Sequence, residues 1–390
     1  MGTAVGGRGS PRHGEVMRLE HVPSPAYVID EGKLEENCRI LAGVMERTGC
    51  KILLAQKAFS AFAEYPLIGK HLSGATASGL FEARLGREEM GKENHIFCPA
   101  YREEEFEEIT AICDHIVFNS GAQLERFRNR CKGKSIGLRI NPQCSTQEEN
   151  AIYDPCAPGS RLGITAENLR KINLTGVEGL HFHTLCEQNS DALSVTLDAV
   201  EEQFGDILPD MKWVNFGGGH HITRKDYDIS LLEDCICRMK EKYGLEVYLE
   251  PGEAVALNAG YLVGTVLDVV ENGEVSNLIL DCSAACHMPD VLEMPYRPPL
   301  AQSKMPGEYP YTYRLTGDTC LAGDIIGDYS FEQPMQIGDR VIFEDMAIYS
   351  MVKNNTFNGV ALPAIYGMSE DGECRLIKKF GYSDFKGRLS

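Results

Sequence analysis

The sequence lacks the features of a membrane protein or of a secreted, disulfide-bonded protein. No apolar run approaches the roughly 20 residues that a membrane-spanning helix needs. The first residues, Met1–Val16, are rich in glycine and arginine and have no apolar centre, which is typical of a disordered or tag-like tail and not of a signal peptide. The 14 cysteines include no Cys-x-x-Cys pair. They indicate reduced thiols in a cytoplasmic protein.

Positive charge is also scarce in this chain. The sequence has 38 Lys and Arg against 57 Asp and Glu, which gives a net charge of −19. Nucleic acid is therefore disfavoured as a partner, because its phosphates are neutralised by basic side chains. The same charge favours cationic ligands.

Short apolar runs alternate with helical patterns through the middle of the chain. The runs lie at 52–57, 74–78, 95–98, 115–119, 136–141, 179–184, 213–217 and 246–250. Strands that alternate with helices over roughly 240 residues predict an α/β fold of the (β/α)8 TIM barrel type. A doubly wound sheet is the competing architecture, but no Gly-x-Gly-x-x-Gly follows the first strand.

The pattern changes near Gly260. Strand-like segments without helix-length patterns between them lie at 261–270, 278–282, 311–315, 340–343 and 374–379. Turn signals such as Asn272-Gly273 separate some of them, which predicts a C-terminal antiparallel β domain. The expected divisions are a disordered tail (1–23), a barrel (24–260) and the β domain (261–390). The strand near Tyr27 precedes the barrel and can join the β domain instead.

Lys57 closes the first predicted barrel strand. Barrel enzymes keep their active sites at the carboxyl ends of the strands. A lysine that is partly desolvated there has a neutral amine that can form a Schiff base with a carbonyl group. The alternative is a lysine that ends a strand and points into solvent, as most lysines do.

Three further groups of residues end predicted strands on the same side of the barrel. They are His181-Phe-His183, the run Gly217-Gly-Gly-His-His221, and Glu250-Pro-Gly-Glu253. Successive glycines let several backbone N–H groups face one phosphate, although a flexible turn has the same composition. A carboxylate such as Glu250 keeps a neighbouring pyridine nitrogen protonated, and His183 can stack on such a ring. A solvated acid and a rim histidine are the structural alternatives.

A lysine, a glycine loop and a carboxylate together suit pyridoxal 5′-phosphate (PLP). Over about residues 24–385 the chain resembles the PLP-dependent decarboxylases of the alanine-racemase-like fold, which include ornithine and diaminopimelate decarboxylases. The matching motifs are Gln56-Lys57, His181-Phe-His183, Gly217-Gly-Gly219, Glu250-Pro-Gly252, Gly317-Asp-Thr-Cys320 with Asp324, and Tyr349 ahead of Thr356-Phe-Asn-Gly359.

This resemblance implies a role for each matching residue. The implied cofactor-binding residues are Lys57, His183, Gly217, Gly218, Gly219, Glu250 and Tyr349. Lys57 holds PLP covalently, and Glu250 keeps the ring nitrogen protonated. Cys320 returns a proton to the substrate carbon. In the family this cysteine comes from the partner subunit, so a homodimer with shared active sites is expected.

Several segments resemble one branch of the family, which converts carboxynorspermidine or carboxyspermidine to norspermidine or spermidine. They are His183-Thr-Leu-Cys-Glu187, Gly219-His-His221, Glu250-Pro-Gly-Glu253 and His287–Tyr296. Two positions depart from the wider family. Glu253 replaces a usual Arg, and Leu321 follows Cys320 where ornithine enzymes have an acid that binds the substrate amine. Both departures disfavour ornithine and diaminopimelate as substrates.

A polyamine substrate brings a cationic tail, and a buried cation requires acidic partners. The predicted substrate-binding residues are Glu250, Glu253, Asp281, Asp290, Glu293 and Asp324. The segment 287–296 has an alternative interpretation as a surface loop between strands. On the functional interpretation its acids bind the ammonium groups of the tail.

Three other functions stay open from the sequence. One is a diaminopimelate or other basic amino acid decarboxylase of the same fold. Another is a metal-dependent barrel hydrolase that uses His181, His183, His220 and His221, although such enzymes usually carry His-x-His on the first strand. The third is a non-catalytic PLP-binding protein, whose single-domain relatives lack the β domain. We expect PLP as cofactor, no metal ion, and no nucleic acid or membrane partner.

Overall fold

The computed structural model describes Leu19, residues 21–147 and residues 153–390. It divides into two compact units. The barrel unit comprises Glu35–Leu257, and the sheet unit comprises Asn258–Ser390 with the described residues up to Leu34. Of the tail predicted over residues 1–23, all but Leu19 and residues 21–23 lies outside the described residues. The helices that the structure describes are too short or too polar to cross a bilayer.

Eight parallel strands close into a barrel in the barrel unit. They are β2 (Lys51–Ala55), β3 (Gly74–Ala77), β4 (Glu93–Phe97), β5 (His115–Phe118), β6 (Ser135–Arg139), β7 (Val177–His181), β8 (Trp213–Asn215) and β9 (Glu246–Leu249), after β1 (Ala26–Asp30) in the sheet unit. Strand β9 pairs with β2 and closes the cylinder. The (β/α)8 barrel predicted from the alternating pattern is confirmed.

Helices connect the strands and cover the outside of the barrel. They are α1 (Glu31–Thr48), α2 (Tyr65–His71), α3 (Leu80–Leu85), α4 (Phe106–Ile112), α5 (Gly121–Phe127), α6 (Ala166–Leu169), α7 (Ser190–Phe204), α8 (Ile229–Tyr243) and α9 (Glu253–Ala256). Ser120, Asn189 and Asp228 accept backbone N–H groups at the starts of α5, α7 and α8. These caps satisfy donors that have no partner within a helix.

One layer of large side chains fills the middle of the barrel. It consists of Leu53, Val117, Trp213 and Tyr248, with Phe97 packed against them. A Cβ at Gly179 would lie 2.0 Å from Trp213 Cδ2, and a Cβ at Gly137 would lie 2.3 Å from Trp213 Cη2. The two glycines therefore leave the volume that the indole occupies, as close packing requires.

We expect Gly179→Ala to lower the free energy of unfolding by about 1–3 kcal/mol, because the added methyl group overlaps the Trp213 ring in a packed interior. Gly79→Ala is the matched control, since nothing lies within 4 Å of a Cβ at Gly79. Urea unfolding of both variants measures the difference. Equal midpoints would show that the barrel interior accommodates another methyl group.

The strands of the sheet unit after β1 are β10 (Gly260–Asn272), β11 (Val275–Leu280), β12 (Tyr311–Thr316), β13 (Ile325–Phe331), β14 (Arg340–Glu344), β15 (Ala364–Met368) and β16 (Cys374–Lys378). They form an eight-stranded sheet with β1 in the order β13-β12-β11-β10-β1-β15-β16, in which β14 also pairs with β10. Three short helices accompany them, α10 (Ala284–His287), α11 (Asp290–Glu293) and α12 (Tyr382–Lys386). Leu19 and Val22 are buried in the same core as β1.

The sheet is mixed, which corrects the expectation of an antiparallel domain. Strand β1 runs parallel to β15, and β11 runs parallel to β12. Strands β13 and β15 were not among the predicted segments. Parallel partners come from distant parts of the chain and need long crossover connections, so local turn signals do not reveal them.

Candidate active site

Lys57 lies just beyond the carboxyl end of β2. Its side chain is accessible to solvent, yet dense protein around the amine desolvates it and lowers its pKa. The charge of Arg139 lowers this pKa further, and Glu250 opposes the shift. A lowered pKa increases the neutral, nucleophilic fraction of the amine, which favours the catalytic interpretation over a solvated strand end.

Glu250 follows β9, and two neighbours hold its carboxylate. Asn215 Nδ2 donates to Oε1 at 2.8 Å, and His181 Nε2 lies 3.2 Å from Oε2. Burial alone raises the pKa of Glu250, but the hydrogen bonds from His181 and Asn215 outweigh burial and bring it down to about 2. Glu250 is therefore a buried carboxylate that stays ionised at neutral pH.

Residues 217–219 form a turn with no space for side chains. Gly217 and Gly219 have φ angles of +67° and +81°. Cβ atoms at Gly217, Gly218 and Gly219 would lie 2.4, 2.6 and 1.9 Å from backbone carbonyl oxygens. Only glycine fits at these positions, which leaves the backbone open to close approach by an anion.

Two backbone N–H groups of this turn donate to side chains, and the third is available to a ligand. Gly217 N donates to Asn215 Oδ1 at 2.8 Å, and Gly218 N donates to His183 Nδ1 at 2.7 Å. Within the described residues, the Gly219 N–H has no hydrogen-bond acceptor. The first two glycines thus position the side chains beside Glu250 and Lys57, and the third keeps a donor for a ligand.

His183 is a neutral ring fixed from two sides. Its Nδ1 accepts from Gly218, and its backbone oxygen accepts from Arg139 Nη2 at 3.1 Å. Burial lowers the His183 pKa well below its ordinary value, and the charges of Lys57 and Arg139 lower it further. Because Nδ1 is an acceptor, the proton is on Nε2. A flat, uncharged ring in a fixed orientation is suited to stacking on a cofactor ring.

Arg139 is a site residue that the sequence interpretation missed. It ends β6, is buried, and places its guanidinium 4.7 Å from the centre of the Phe97 ring. Burial lowers its pKa to about 10, so it remains a cation beside Lys57 and His183. A charged residue at the carboxyl end of a barrel strand was the criterion that selected Lys57, and it also applies to Arg139.

The histidines of the hydrolase alternative do not converge on a common point. His181 faces Glu250, His183 accepts from Gly218, and His220 Nε2 lies 3.1 Å from Phe216 O. His221 Nε2 lies 3.9 Å from Glu253 Oε1 instead. Each ring is thus directed at a different group, and their arrangement does not favour a catalytic metal.

Cys320 lies on an exposed loop between β12 and β13. Its backbone N–H donates to Asn358 Oδ1 at 2.6 Å, and Asn358 adopts a left-handed φ of +55°. From the other side, the buried Asp324 accepts from Thr319 Oγ1 at 2.6 Å and from Ser283 Oγ at 2.7 Å. Both contacts fix the backbone next to the cysteine.

Tyr349 also has an unusual backbone, with φ at +47°. This region is costly for a residue with a Cβ and is populated mostly at constrained or functional positions. The strain is consistent with the cofactor-contact role that the family resemblance implies for Tyr349. That role stays a prediction.

The remaining predicted acids have partners inside the sheet unit. Asp281 Oδ1 accepts from Thr265 N at 2.7 Å, and its Oδ2 accepts from Ser24 Oγ at 2.5 Å. Asp290 and Glu293, on α11, both form ion pairs with Lys353. The contacts of Asp281 and Asp324 give both residues a role in folding, and their role in substrate binding stays a prediction.

His287, which ends α10, predicts a pH dependence of stability. Its Nδ1 accepts from Ser283 N at 3.1 Å, and its Nε2 lies 3.1 Å from Ala361 O. Burial lowers its pKa from 6.5 to about 4, although the Ala361 carbonyl and Asp324 oppose the shift. Between these pH values only the unfolded chain takes up the proton. Lowering the pH from 6.5 to 4 should therefore cost up to about 3 kcal/mol of stability at this residue.

The measurement for His287 is the melting temperature as a function of pH. The variant His287→Gln should lose part of the decline between pH 6.5 and 4, because it removes one proton-uptake site from the unfolded state. The exposed His21 supplies the control His21→Gln. Parallel curves for His287→Gln and the parent protein would contradict the buried, neutral state of His287.

The arrangement of Lys57, Glu250 and the glycine turn at one end of the barrel suits a PLP-dependent enzyme. A family profile described as "Pyridoxal-dependent decarboxylase, C-terminal sheet domain" matches residues 26–347. The chain belongs to this family of pyridoxal-dependent decarboxylases. PLP, predicted from Lys57, Glu250 and the glycine turn, is thereby confirmed as the cofactor.

Within this family, two curated relatives are 43% identical to the chain. One is the carboxynorspermidine/carboxyspermidine decarboxylase of Campylobacter jejuni, which aligns over 95% of this chain and 100% of its own length. The other is the carboxyaminopropylagmatine decarboxylase of Synechocystis, which aligns over 95% of this chain and 97% of its own length.

A solved structure agrees with these relatives. The crystal structure of carboxynorspermidine decarboxylase complexed with norspermidine from Campylobacter jejuni superposes with a TM-score of 0.88 at 42% identity. It covers 94% of this chain and 100% of that chain. A diaminopimelate decarboxylase from Helicobacter pylori, at 17% identity and a TM-score of 0.80, shares the fold.

Proposed function

We propose that this protein decarboxylates carboxynorspermidine or carboxyspermidine to norspermidine or spermidine. The observation that carries the proposal is the 43% identity to a carboxynorspermidine/carboxyspermidine decarboxylase over 95% of the chain. The site supports the same reaction class, because Lys57, Glu250 and the glycine turn lie together at one end of the barrel. Both proposed substrates are α-amino acids with a cationic side chain.

PLP, when bound, supplies a ring that accepts the electron pair left behind when the substrate carboxylate departs as carbon dioxide. The chain supplies the surroundings. Lys57 would hold the cofactor covalently through its amine nitrogen. Glu250, kept ionised by Asn215 and His181, would keep the pyridine nitrogen protonated. His183 would orient the ring, and the Gly219 N–H would donate to the phosphate. Tyr349 stays a predicted phosphate contact.

Cys320 is the proposed proton donor to the substrate carbon after carbon dioxide leaves. It is solvent exposed, and the loop that carries it is held by Asp324 and Asn358. We propose a homodimer in which the partner's Cys320 serves each site. The 14 cysteines are all free thiols, which supports a cytoplasmic location.

Glu253 is the proposed contact for the cationic tail. It starts α9 directly after the Glu250-Pro-Gly turn, and its side chain is only 19% exposed. An Arg at this position would carry the opposite charge, so Glu253 favours an ammonium group over the second carboxylate of diaminopimelate. Asp290 and Glu293 stay predicted contacts, and their shared pairing with Lys353 means that a tail must compete with this lysine for them.

We expect Glu253→Gln to raise the KM for the polyamine substrate about 10- to 150-fold, the equivalent of losing a charged hydrogen bond of roughly 1.5–3 kcal/mol. Bound PLP should be retained, because Glu253 is not among the proposed cofactor contacts. The exposed Glu241 supplies the charge-matched control Glu241→Gln. An unchanged KM in Glu253→Gln would remove this residue from the tail site.

A second candidate substrate is carboxyaminopropylagmatine. The specific observation in its favour is the equal 43% identity to a relative with that activity. Its tail ends in a guanidinium group, which pairs with carboxylates through two parallel hydrogen bonds, whereas an ammonium group acts as a point charge. The two candidates share the reaction and differ at the end of the tail.

The direct test is to incubate PLP-loaded protein with carboxynorspermidine and to quantify carbon dioxide and norspermidine. Equal molar amounts of both products are expected. Carboxyspermidine, carboxyaminopropylagmatine and diaminopimelate are tested in parallel. Absence of carbon dioxide from all four would overturn the proposed activity, and release from diaminopimelate alone would overturn the substrate.

A further inference from the structure

A second cluster of ionisable groups lies at the opposite end of the barrel strands from Lys57. Glu93 and His95 are alternate residues of β4 and share one face of the strand. His115 begins β5 and is the register partner of His95. Within the described residues, the nitrogen and oxygen atoms that these three side chains offer all lie within 4.8 Å of one another.

We propose that Glu93, His95 and His115 bind a divalent transition metal ion of the zinc type. His95 Nε2 and Glu93 Oε2 are 3.1 Å apart. Two ligands of a tetrahedral zinc ion with bonds of about 2.0–2.1 Å are separated by roughly 3.3 Å, so the spacing between Glu93 and His95 needs little change. Two imidazoles and one carboxylate are also ligands that zinc accepts in proteins.

His115 supplies an independent indication of a ligand. Its Nδ1 is buried and, among the described residues, has no hydrogen-bond partner. A buried polar atom without a partner is rare in folded proteins. The His95 and His115 rings are stacked on the same side of the strands, with centroids 3.9 Å apart and planes 13° from parallel. An imidazole nitrogen binds a metal ion in the plane of its ring, so one of the two rings must turn out of the stack when both bind the same ion.

Lys51 would compete with a metal ion for Glu93, but Glu93 is not its only carboxylate partner. Lys51 Nζ lies 2.6 Å from Glu93 Oε1 and 2.9 Å from Glu246 Oε1. If Glu93 turns to a metal ion, Lys51 keeps the Glu246 carboxylate as a partner. Glu93 and Glu246 carry two negative charges against the one positive charge of Lys51, so the cluster attracts a cation. Glu93 is 30% exposed, which admits the ion and a water ligand.

The position of the site gives it a structural role. Barrel enzymes carry out their chemistry at the carboxyl ends of the strands, and this cluster lies at the amino-terminal end. The ion would crosslink β4 and β5 and stabilise the folded barrel in proportion to the logarithm of its free concentration. Decarboxylation should not require it.

Trp213, the only tryptophan in the chain, provides a local reporter. Its ring centre lies 4.9 Å from the ring centre of His115. Chelator-treated, PLP-loaded protein is titrated with Co2+, with tryptophan fluorescence and visible absorption recorded together. We expect one Co2+ per chain, quenching of Trp213, and absorption bands without the charge-transfer band of a cobalt–thiolate bond. Zn2+ should displace the Co2+ and raise Tm.

Three variants and a control locate the site. His115→Phe keeps a flat ring in the stack but removes a ligand, and Glu93→Gln keeps the size of the side chain; each should weaken Co2+ binding by more than about tenfold. Lys51→Met should tighten it by removing the competing cation. His71→Gln is the control, since His71 also lies beside a carboxylate, Glu35, at 3.7 Å. Retained decarboxylase activity shows that each variant is folded.

Binding that is unchanged in His115→Phe and Glu93→Gln would overturn the proposal. A cobalt–thiolate band would also overturn it, because the ion would then occupy cysteines. The same conclusion follows if millimolar Co2+ leaves Trp213 fluorescence unchanged. If His115→Phe does not fold, the affinities of Glu93→Gln and Lys51→Met, which should change in opposite directions, decide the question.

Discussion

The variant Lys57→Ala should lose covalently bound PLP and at least about 10³-fold in kcat, because it removes the amine that holds the cofactor. The colour of the purified protein and its absorbance in the range of bound PLP should disappear. Borohydride reduction of the parent protein, followed by peptide mass spectrometry, should place a pyridoxyl group on Lys57. The lowered pKa of this lysine supports the assignment.

The control for this experiment is Lys70→Ala, which changes an exposed lysine of α2. It should keep both the bound cofactor and the turnover. A pyridoxyl group on a lysine other than Lys57, or full activity in Lys57→Ala, would contradict the assignment.

The second large effect concerns Cys320 and the proposed dimer. Cys320→Ala and Lys57→Ala should each be nearly inactive alone. When subunits of the two variants exchange, the hybrid dimer contains one site with an intact Lys57 and the partner's Cys320. A mixture of equal amounts should therefore recover about a quarter of the parent activity, because about half of the dimers are hybrids and each has one working site of two.

Subunit exchange is verified separately, by native mass spectrometry of differently tagged variants. Hybrid dimers that form but show no activity would contradict a site shared between subunits. Activity of Cys320→Ala alone near that of the parent protein would remove Cys320 from the proton-transfer step. Cys374→Ala, at a half-buried cysteine of β16, is the matched control and should remain active.

The barrel could be predicted from sequence because its signal is local. Each strand from Ile52 to Leu249 is a short apolar run between turn or helical patterns, and parallel strands that are covered on both sides give continuous apolar runs. The directions of the strands in the sheet unit could not be predicted, because they depend on pairing between distant parts of the chain. The pairing of β1 with β15 joins residues more than 300 positions apart, and turn chemistry near either strand carries no information about it.

The residues of the candidate site also differ in whether the sequence carries a local signal for them. Lys57, Glu250 and the glycine turn were found because each is a polar or glycine residue at the end of a strand. The hydrogen-bond partners of Asp281 and Asp324 could not be found from the sequence. Ser24, Thr265 and Ser283 are distant from these acids along the chain and come close to them only in the folded protein. The sequence shows that a residue is acidic, but it does not show whether its carboxylate is hydrogen-bonded within the folded protein.

Arg139 and the cluster of Glu93, His95 and His115 show two different limits. Arg139 had a readable signal at the end of β6. The cluster had none, because its residues belong to two strands and come together only through the register between His95 and His115. Metal-ligand spacing along the sequence identifies sites built on one loop, whereas sites built across strands need the pairing first.

The central claim is that the site selects an α-amino acid with a polyamine tail. The measurement that tests it most directly is a competition, in which PLP-loaded protein receives carboxynorspermidine, carboxyspermidine, carboxyaminopropylagmatine and diaminopimelate at equal concentrations. The rates of product formation then give the ratio of kcat/KM values. Norspermidine or spermidine should form faster than lysine, the product of diaminopimelate, by more than about 100-fold, because a charged tail contact of roughly 3 kcal/mol is lost with diaminopimelate. Faster formation of lysine would contradict the claim.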